Sequence, residues 1–133
     1  MTVDGVVMLN TWSLHDVEKV LALYSDDCLY QDFALGRTNR NKEELKAFVE
    51  ATYDWSQDVQ FEVRSAYSSG DWSVTEWIMK GTHTGSTPAL PATGKEFSLF
   101  GASVLQIQND KIIRQSDYWN IAAFLQQVGL MPS

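Results

Sequence analysis

The sequence predicts an α+β fold: a strongly bent, mostly antiparallel sheet that wraps around N-terminal helices as a cone with an internal apolar cavity. Three observations lead to this prediction. Apolar residues recur at helical spacing in residues 1–53, alternate along long strand patterns in residues 59–119, and return to helical spacing after residue 120. Helices that precede a run of strands are typical of the α+β class. The length of 133 residues suits one domain, residues 1–133.

Two helical patterns begin the chain. Residues 1–12 are rich in apolar side chains and predict one core-facing helix. Ser13 and Asp16 are both possible N-caps of a second helix, which we expect to run to the pair Asp26-Asp27. A short strand over 28–33 then alternates, so that Cys28, Tyr30 and Asp32 share one face.

A loop over 34–40 leads to the most clearly marked helix of the sequence. Asn41 is followed three residues later by Glu44, which has the form of a capping box. The apolar residues after it keep helical spacing, and we expect this helix to end near Tyr53.

The rest of the chain predicts a meander of strands and a final helix. A strand over 59–64 and a turn at 69–71 precede a strand over 72–84, and residues 85–94 form a loop that is a candidate lid or dimer arm. A strand over 95–108 contains the small residues 101–103, which permit a bulge or a bend. The remaining signals are a turn at 109–110, a strand over 113–120, a helix capped by Asn120 and a stop at Gly129.

Composition limits the classes of function. Five Trp, five Tyr and six Phe exceed what one small core needs, which favours a pocket lined by rings or an apolar subunit interface. The formal net charge is −7 without a basic cluster, so we expect neither nucleic acid nor membrane as a partner. Cys28 is the only cysteine, and two His with scattered carboxylates make no metal-ligand pattern, so we expect no disulfide, metal or cofactor. No signal peptide or membrane-length segment is evident, and we expect a cytoplasmic protein.

Asp117 is the first candidate catalytic residue. On its strand it shares a face with Trp119, and an acid held against aromatic surface loses hydration, which raises its pKa towards neutrality. The alternative is a strand-end residue that caps the following helix. Asp32 is the second candidate acid, with a turn residue that binds backbone as its alternative. If the two carboxyl groups converge, one pKa rises and the pair supplies both an acid and a base.

Two further residues are candidates for proton handling. Tyr30 can donate a hydrogen bond to a substrate carbonyl or orient a water molecule, and simple packing is its alternative. His83 can carry a proton, although a structural hydrogen bond is the commoner role at such a strand end. We expect substrate contacts from Trp77, Met79, Phe100, Ser103, Trp119, Tyr53 and Trp55. Core packing is the alternative for Trp77, Met79, Phe100 and Trp119.

Six short motifs, in order along the chain, resemble the SnoaL-like polyketide cyclase branch of the nuclear transport factor 2-like superfamily. They are Tyr24-Ser25-Asp26-Asp27, Tyr30-Gln31-Asp32, Gly81-Thr82-His83-Thr84-Gly85, Pro91-Ala92-Thr93-Gly94-Lys95, Asn109-Asp110-Lys111-Ile112 and Asp117-Tyr118-Trp119-Asn120. The similarity covers nearly the whole chain. It implies the fold more strongly than the function, because this superfold hosts isomerases, cyclases, epoxide hydrolases, dehydratases and binding modules.

The resemblance to limonene epoxide hydrolase implies that Tyr30 and Asp117 are site positions and that Asp32 replaces a water-holding asparagine. The arginine and aspartate that this hydrolase needs on its long middle strand read Trp77 and Met79 here, so the relay is incomplete.

The resemblance to ketosteroid isomerase places its general base at Asp32, but its oxyanion-hole tyrosine and second acid correspond to about Met8 and Ser103. In SnoaL-type aldol cyclases the catalytic aspartate matches Asp117. Their histidine falls close to Ser103, and His83 is the candidate replacement.

These considerations favour a cofactor-independent acid/base enzyme that cyclises or isomerises a hydrophobic, polyketide-like or terpenoid-like small molecule, with Asp117 as general acid/base. One alternative is a non-catalytic ligand-binding or dimerisation module of the same fold, and another is an epoxide hydrolase-like activity with an altered relay. The resemblance also implies a homodimer that packs through sheet faces.

Overall fold

The computed structural model describes residues 2–86 and 91–132, which form four helices and a six-stranded sheet. The sheet order is β2-β1-β6-β5-β4-β3. Strands β1 and β6 are parallel, and the other neighbours are antiparallel. The α+β class and the mostly antiparallel sheet with N-terminal helices are confirmed. The elements are α1 (Gly5–Trp12), α2 (Val17–Leu21), β1 (Tyr24–Asp32), β2 (Arg37–Asn39), α3 (Lys42–Trp55), β3 (Gln60–Ser69), β4 (Trp72–Thr82), β5 (Glu96–Gln108), β6 (Lys111–Trp119) and α4 (Ile121–Gln127).

The helices begin where side-chain caps satisfy their first free backbone N–H groups. Asp4 caps α1, and Asp16, rather than Ser13, caps α2. At α3 the Asn41 Oδ1 accepts a 2.8 Å hydrogen bond from the backbone N–H of Glu44. Asn120 caps α4 in the same way, as predicted.

Helix α2 is shorter than predicted, and the chain is already extended at Tyr24. The helical spacing of Tyr24 is misleading because this residue pairs with Ile112 of β6. Sheet pairing therefore overrides the local helix propensity, because propensity contributes little free energy over a few residues. The predicted loop over 34–40 likewise contains a strand, β2, which folds back on β1 after a turn in which Gly36 has a φ of 65°.

The long strands form a continuous antiparallel meander. Gly70 (φ 58°) allows the β3–β4 turn, and Asn109 and Asp110 (φ 53° and 58°) form the tight β5–β6 turn. Residues 87–90 of the predicted lid or dimer arm lie outside the described residues.

The small residues of β5 permit a bulge or a bend, but the strand pairing at these residues is regular. Gly101 pairs in unbroken register with Trp77 and Trp119, and the irregularity in the β5–β6 pairing lies between Gln106 and Ile107. Gly101 is instead required by packing, because a Cβ atom there would overlap the Trp77 indole ring. The strand consequently keeps strict alternation, with residues 99, 101 and 103 facing inwards.

The helices cover the inner face of the sheet. Helix α1 packs on β3 and β4, α3 packs on β1 and β2, and α4 packs on β5. Fully buried side chains such as Leu45, Val49 and Phe124 fill much of the space between the layers. No helix in ranges 2–86 and 91–132 is both long enough and apolar enough to cross a membrane.

Candidate functional site

A pocket of about 220 Å³ lies between the inner face of the sheet and the helices. Most of its wall is aromatic or aliphatic, and a smaller number of polar side chains interrupt it. The exposed side chains of Leu35 and Arg37 stand at its mouth. The lining residues are Met8, Leu9, Trp12, Tyr30, Asp32, Leu35, Arg37, Phe48, Ala51, Thr52, Trp55, Phe61, Trp77, Met79, Ser103, Gln115, Asp117, Trp119, Ile121 and Phe124.

Asp117 of β6 is one of two buried acids of this pocket, with only 6% of its surface exposed. Its Oδ1 accepts hydrogen bonds from Ser103 Oγ (2.6 Å) and Gln115 Nε2 (2.9 Å), and its Oδ2 accepts one from the Tyr30 hydroxyl. Burial nevertheless raises the pKa of Asp117 to about 6, because the three donors offset only part of the lost hydration and the charge of Asp32 adds to the rise. The group can therefore gain or lose a proton near neutral pH.

The hydroxyl of Tyr30, on β1, donates its hydrogen bond to Asp117 and not into the open space of the pocket. Its ring packs 5.3 Å from that of Phe48 and 6.1 Å from that of Trp12. Burial and the nearby charge of Asp117 hold the pKa of the Tyr30 phenol well above its ordinary value, so the hydroxyl stays protonated and remains a donor. Tyr30 therefore stabilises the Asp117 carboxylate by a hydrogen bond.

Ser103 connects Asp117 to the far strand of the pocket wall. The Trp77 indole Nε1 donates a 2.9 Å hydrogen bond to Ser103 Oγ, and the Ser103 hydroxyl in turn donates to Asp117 Oδ1. The hydroxyl is thereby fixed in orientation, because its single proton is assigned to the carboxylate. Trp77 and Ser103 are buried.

A second chain of buried hydrogen bonds reaches Asp117 from the core. The Trp12 indole Nε1 donates to the Tyr24 hydroxyl (3.1 Å), which donates to Gln115 Oε1 (2.6 Å). Because the oxygen of Gln115 is held in this way, its Nε2 faces Asp117. The amide is therefore oriented by residues of α1 and β1 that do not touch the acid.

Asp32 lies opposite Asp117 in the parallel β1–β6 pairing, but its oxygens have other partners. Oδ2 accepts a 3.0 Å hydrogen bond from the Trp119 indole, and Oδ1 accepts one of 2.9 Å from the backbone N–H of Leu35. Burial raises the pKa of Asp32, and these two donors work against the rise. Asp32 therefore binds the backbone of the following turn, as its alternative role predicted, and it also lines the pocket.

Five of the residues expected to contact substrate do line the pocket: Trp55, Trp77, Met79, Ser103 and Trp119. Asp117, Asp32 and Tyr30 join them there. The indole N–H of Trp119, the residue expected to shield Asp117, donates its hydrogen bond to Asp32. Asp117 also does not cap α4, because Asn120 holds that position.

The other two residues expected to contact substrate lie outside the pocket. Phe100 is 66% exposed on the outer sheet face, because the unbroken alternation of β5 turns it away from Ser103. Tyr53 points to the other side of Trp12, where its hydroxyl donates to the Trp12 carbonyl (2.6 Å) and its ring stacks on His15. These two expectations were wrong.

His83 is buried but reaches no pocket surface. It lies just after β4, behind Trp55 and Phe124, with ring centroids 6.4 and 5.4 Å away. Its Nδ1 lies 3.3 Å from Thr93 Oγ1, and burial lowers the pKa of its imidazole. The structure therefore does not place His83 where it could replace the histidine of the aldol cyclases.

Several pocket residues were not foreseen. Gln115 alternates with Asp117 and Trp119 on β6, so the same pattern that singled out the acid could have indicated the amide. Trp12 and Phe48 carried the usual signal of helix core residues. Arg37 had no sequence signal, because β2 is only three residues long.

Comparisons with known proteins agree with this architecture. The family model for SnoaL-like polyketide cyclases matches residues 6–128. No match was found among curated proteins.

Solved structures share the fold at low sequence identity. A hypothetical protein of ketosteroid isomerase-like fold from Catenulispora acidiphila DSM 44928, crystallised with trimethylamine, is 22% identical with a TM-score of 0.84, over 95% of this chain and 92% of that one. AclR from Streptomyces galilaeus, described as a candidate hydroxylase, is 20% identical (TM-score 0.82; 96% and 80%). IdmH from Streptomyces antibioticus, described as a candidate polyketide cyclase, is 18% identical (TM-score 0.80; 93% and 94%). Since the family match spans nearly the whole domain, the chain belongs to the SnoaL-like polyketide cyclase family.

Proposed function

We propose that this protein is a cofactor-independent acid/base enzyme that cyclises or isomerises a hydrophobic small molecule, with Asp117 as the proton-transferring residue. One observation carries the proposal: a buried carboxyl group with a pKa of about 6 faces an apolar pocket. A general acid or base works best when its pKa lies near the working pH. Polyketide-like compounds are the substrate class we infer from the family.

The reaction we propose is a proton shuttle. Asp117 as carboxylate takes a proton from a carbon next to a substrate carbonyl, and the carbon–hydrogen electron pair becomes an enolate. The enolate attacks a second carbonyl of the substrate or is reprotonated at another atom, and the neutral Asp117 returns the proton. Oδ2 is the better placed oxygen, because it has one protein donor while Oδ1 already has two.

The surroundings of Asp117 suit both steps of this cycle. Tyr30, Ser103 and Gln115 stabilise the carboxylate, whereas the apolar walls favour the neutral acid. Asp32 contributes a second negative charge that raises the pKa of Asp117, and we propose that this electrostatic effect, rather than proton transfer, is its part in the chemistry. A substrate that excludes water would strengthen all these interactions.

The second candidate is a binding module that holds a ligand without chemistry. The hydrogen bonding of Asp32 is compatible with this alternative, because both of its oxygens have protein donors. A carboxylate that is satisfied by a turn and an indole has a structural role whether or not catalysis occurs.

Proton transfer can be tested before the natural substrate is known. The protein is incubated in D₂O with a panel of aromatic and polycyclic ketones, and exchange of the hydrogens next to the carbonyl is followed by mass spectrometry. We expect protein-dependent exchange for at least one ketone, and a loss of about 100-fold or more in Asp117→Asn, as is typical when a general base is removed.

Asp27→Asn is the matched control, because it removes the same charge at an exposed position of β1. Calorimetric titration of the active ketone should show similar affinity for the wild-type protein and Asp117→Asn. Binding without exchange across the panel would favour the module, and exchange that survives in Asp117→Asn would refute the assignment of this residue.

A further inference from the structure

Arg37 is the one cationic side chain among the residues that line the pocket within the described chain. It begins β2, and its backbone lies opposite Asp32 across the β1–β2 pairing. Its guanidinium carbon stands 5.4 Å from the centre of the Phe48 ring, and Phe48 is itself part of the pocket wall. The positive group is therefore held at the mouth, on the edge of the apolar surface.

The guanidinium of Arg37 has no ion-pair partner among the described residues. Although Asp32 is its partner in the strand register, the side chains diverge: Asp32 binds Trp119 and Leu35, and Arg37 lies over Phe48. Stacking on a ring occupies one face of the guanidinium plane and leaves the N–H groups at its edge available.

The charge of the chain makes this placement significant. A protein with a formal net charge of −7 repels anions, and the pocket wall holds two buried carboxyl groups, Asp32 and Asp117. An acidic ligand group would be repelled by these carboxyl groups and attracted to Arg37, the one cationic side chain of the described lining. Such a ligand would enter with its apolar part first and keep its anionic group at the mouth.

We propose that the ligand of this pocket is an amphipathic acid: an apolar body of one or two rings inside the pocket, with a carboxylate bound by Arg37 at the mouth. A carboxylate fits better than a phosphate, because the planar guanidinium edge binds its two oxygens with two parallel hydrogen bonds and one cation balances one negative charge. The size follows from the volume, since a dry cavity of roughly 150 Å³ holds benzene and this one measures about 220 Å³.

This inference rests on the proposed function in that the pocket must bind a small hydrophobic molecule, but it does not require turnover. It is tested by calorimetric titration with 2-naphthoate and its neutral, nearly isosteric analogue 2-naphthamide. We expect the wild-type protein to bind naphthoate about tenfold more tightly, as one charge-assisted hydrogen-bonded pair provides. In Arg37→Met this preference should disappear while naphthamide affinity stays within about twofold.

Arg64→Met is the matched control, because Arg64 also lies over a phenylalanine ring, that of Phe100 at 4.9 Å, but on the outer sheet face. It should keep the wild-type preference. Equal affinity of the two probes for the wild-type protein, or a preference that survives in Arg37→Met, would overturn the inference and leave the proposed function intact. Failure of both probes to bind the wild-type protein would contradict the hydrophobic pocket itself, and the inference with it.

Discussion

Asp32 and Asp117 are direct partners in the parallel pairing of β1 with β6, yet they have different surroundings. Asp117 is held by three side-chain donors and faces apolar rings, and burial raises its pKa to about 6. Asp32 is tied to an indole and to the backbone of the next turn. Two acids brought together by one register are thus distinguished by their hydrogen bonds.

The first prediction concerns pH and stability. An ordinary Asp pKa near 3.9 in the unfolded chain and about 6 in the folded protein means that, between these pH values, the folded state keeps a proton that the unfolded state has lost. The contribution of Asp117 to stability therefore falls as pH rises from about 4 to 6, by about 3 kcal/mol in total, and is constant above that range.

Asp117→Asn lacks this titration. Urea unfolding of both proteins at pH 4.5 and 7.5 should show the variant gaining stability relative to the wild type as the pH rises. Parallel pH profiles for the two proteins would show that the pKa of Asp117 is not raised.

The second prediction concerns Ser103. Ser103→Ala removes a donor that lowers the pKa of Asp117 and leaves the Trp77 N–H without its acceptor. We expect a further rise in the pKa of Asp117, read from the pH profile of unfolding, and a loss of about 1–3 kcal/mol in stability. Ser116 precedes Asp117 on β6 and points to the opposite face of the strand, so Ser116→Ala should leave the pH profile unchanged. An identical shift in both variants would rule out a specific role for Ser103.

The third prediction concerns the chain of hydrogen bonds that orients Gln115. Tyr24→Phe keeps the ring but leaves the Trp12 N–H and the Gln115 oxygen unpaired in the core, which should cost about 1–3 kcal/mol in the free energy of unfolding. Tyr67→Phe removes the same hydroxyl from a side chain that is 66% exposed and should change stability little. Chemical denaturation measures both, and equal stability of the two variants would show that the buried chain contributes nothing.

The fourth prediction concerns the fit of Gly101 under Trp77. Gly101→Ala places a methyl group where the indole lies, so the ring must shift and its hydrogen bond to Ser103 must lengthen. We expect a loss of about 1–3 kcal/mol, which is typical of overpacking. Gly70→Ala is the comparison, because its strain comes from a positive φ in an exposed turn and its Cβ atom meets no neighbour. Only Gly101→Ala should change the near-ultraviolet circular dichroism of the tryptophans.

The fifth prediction concerns the outer sheet face. Tyr67, Trp72, Phe100 and Tyr118 are large and exposed there, and we propose that this face forms the homodimer expected from the family. Phe100→Glu should convert the dimer to monomers in light-scattering measurements, because it places a charge in the apolar contact. Glu96→Gln, on the same strand, should not change the mass. A monomeric wild-type protein, or a dimer that survives Phe100→Glu, would contradict this proposal.

Local sequence signals predicted most of the elements. The caps Asp16, Asn41 and Asn120 and the tight turn at 109–110 act over three or four residues, so their meaning does not depend on distant parts of the chain. Alternation also placed Tyr30, Asp32 and Asp117 correctly on the inner side of the sheet, because side-chain direction in an unbroken strand has a period of two.

The sequence predictions were wrong where contacts with distant parts of the chain determine the local conformation. Tyr24 has helical spacing but pairs with β6, and β2 exists only because it can pair with β1. The small residues at 101–103 permit a bulge or a bend, but Gly101 instead accommodates the Trp77 ring in a regular strand, and this regularity turns Phe100 outwards. Sequence patterns do not report such contacts, which join residues many positions apart.

The sequence by itself determined the α+β class, the inward direction of Asp117 and its resemblance to a family of sites, because periodicity and capping are local properties. Only the tertiary structure decided which groups hold that acid. Gln115 is oriented by Tyr24, 91 residues away, Trp77 reaches Ser103 across 26 residues, and Arg37 meets the pocket through a three-residue strand. The pKa of Asp117 depends on the balance between burial and these donors, and that balance exists only once the chain has folded.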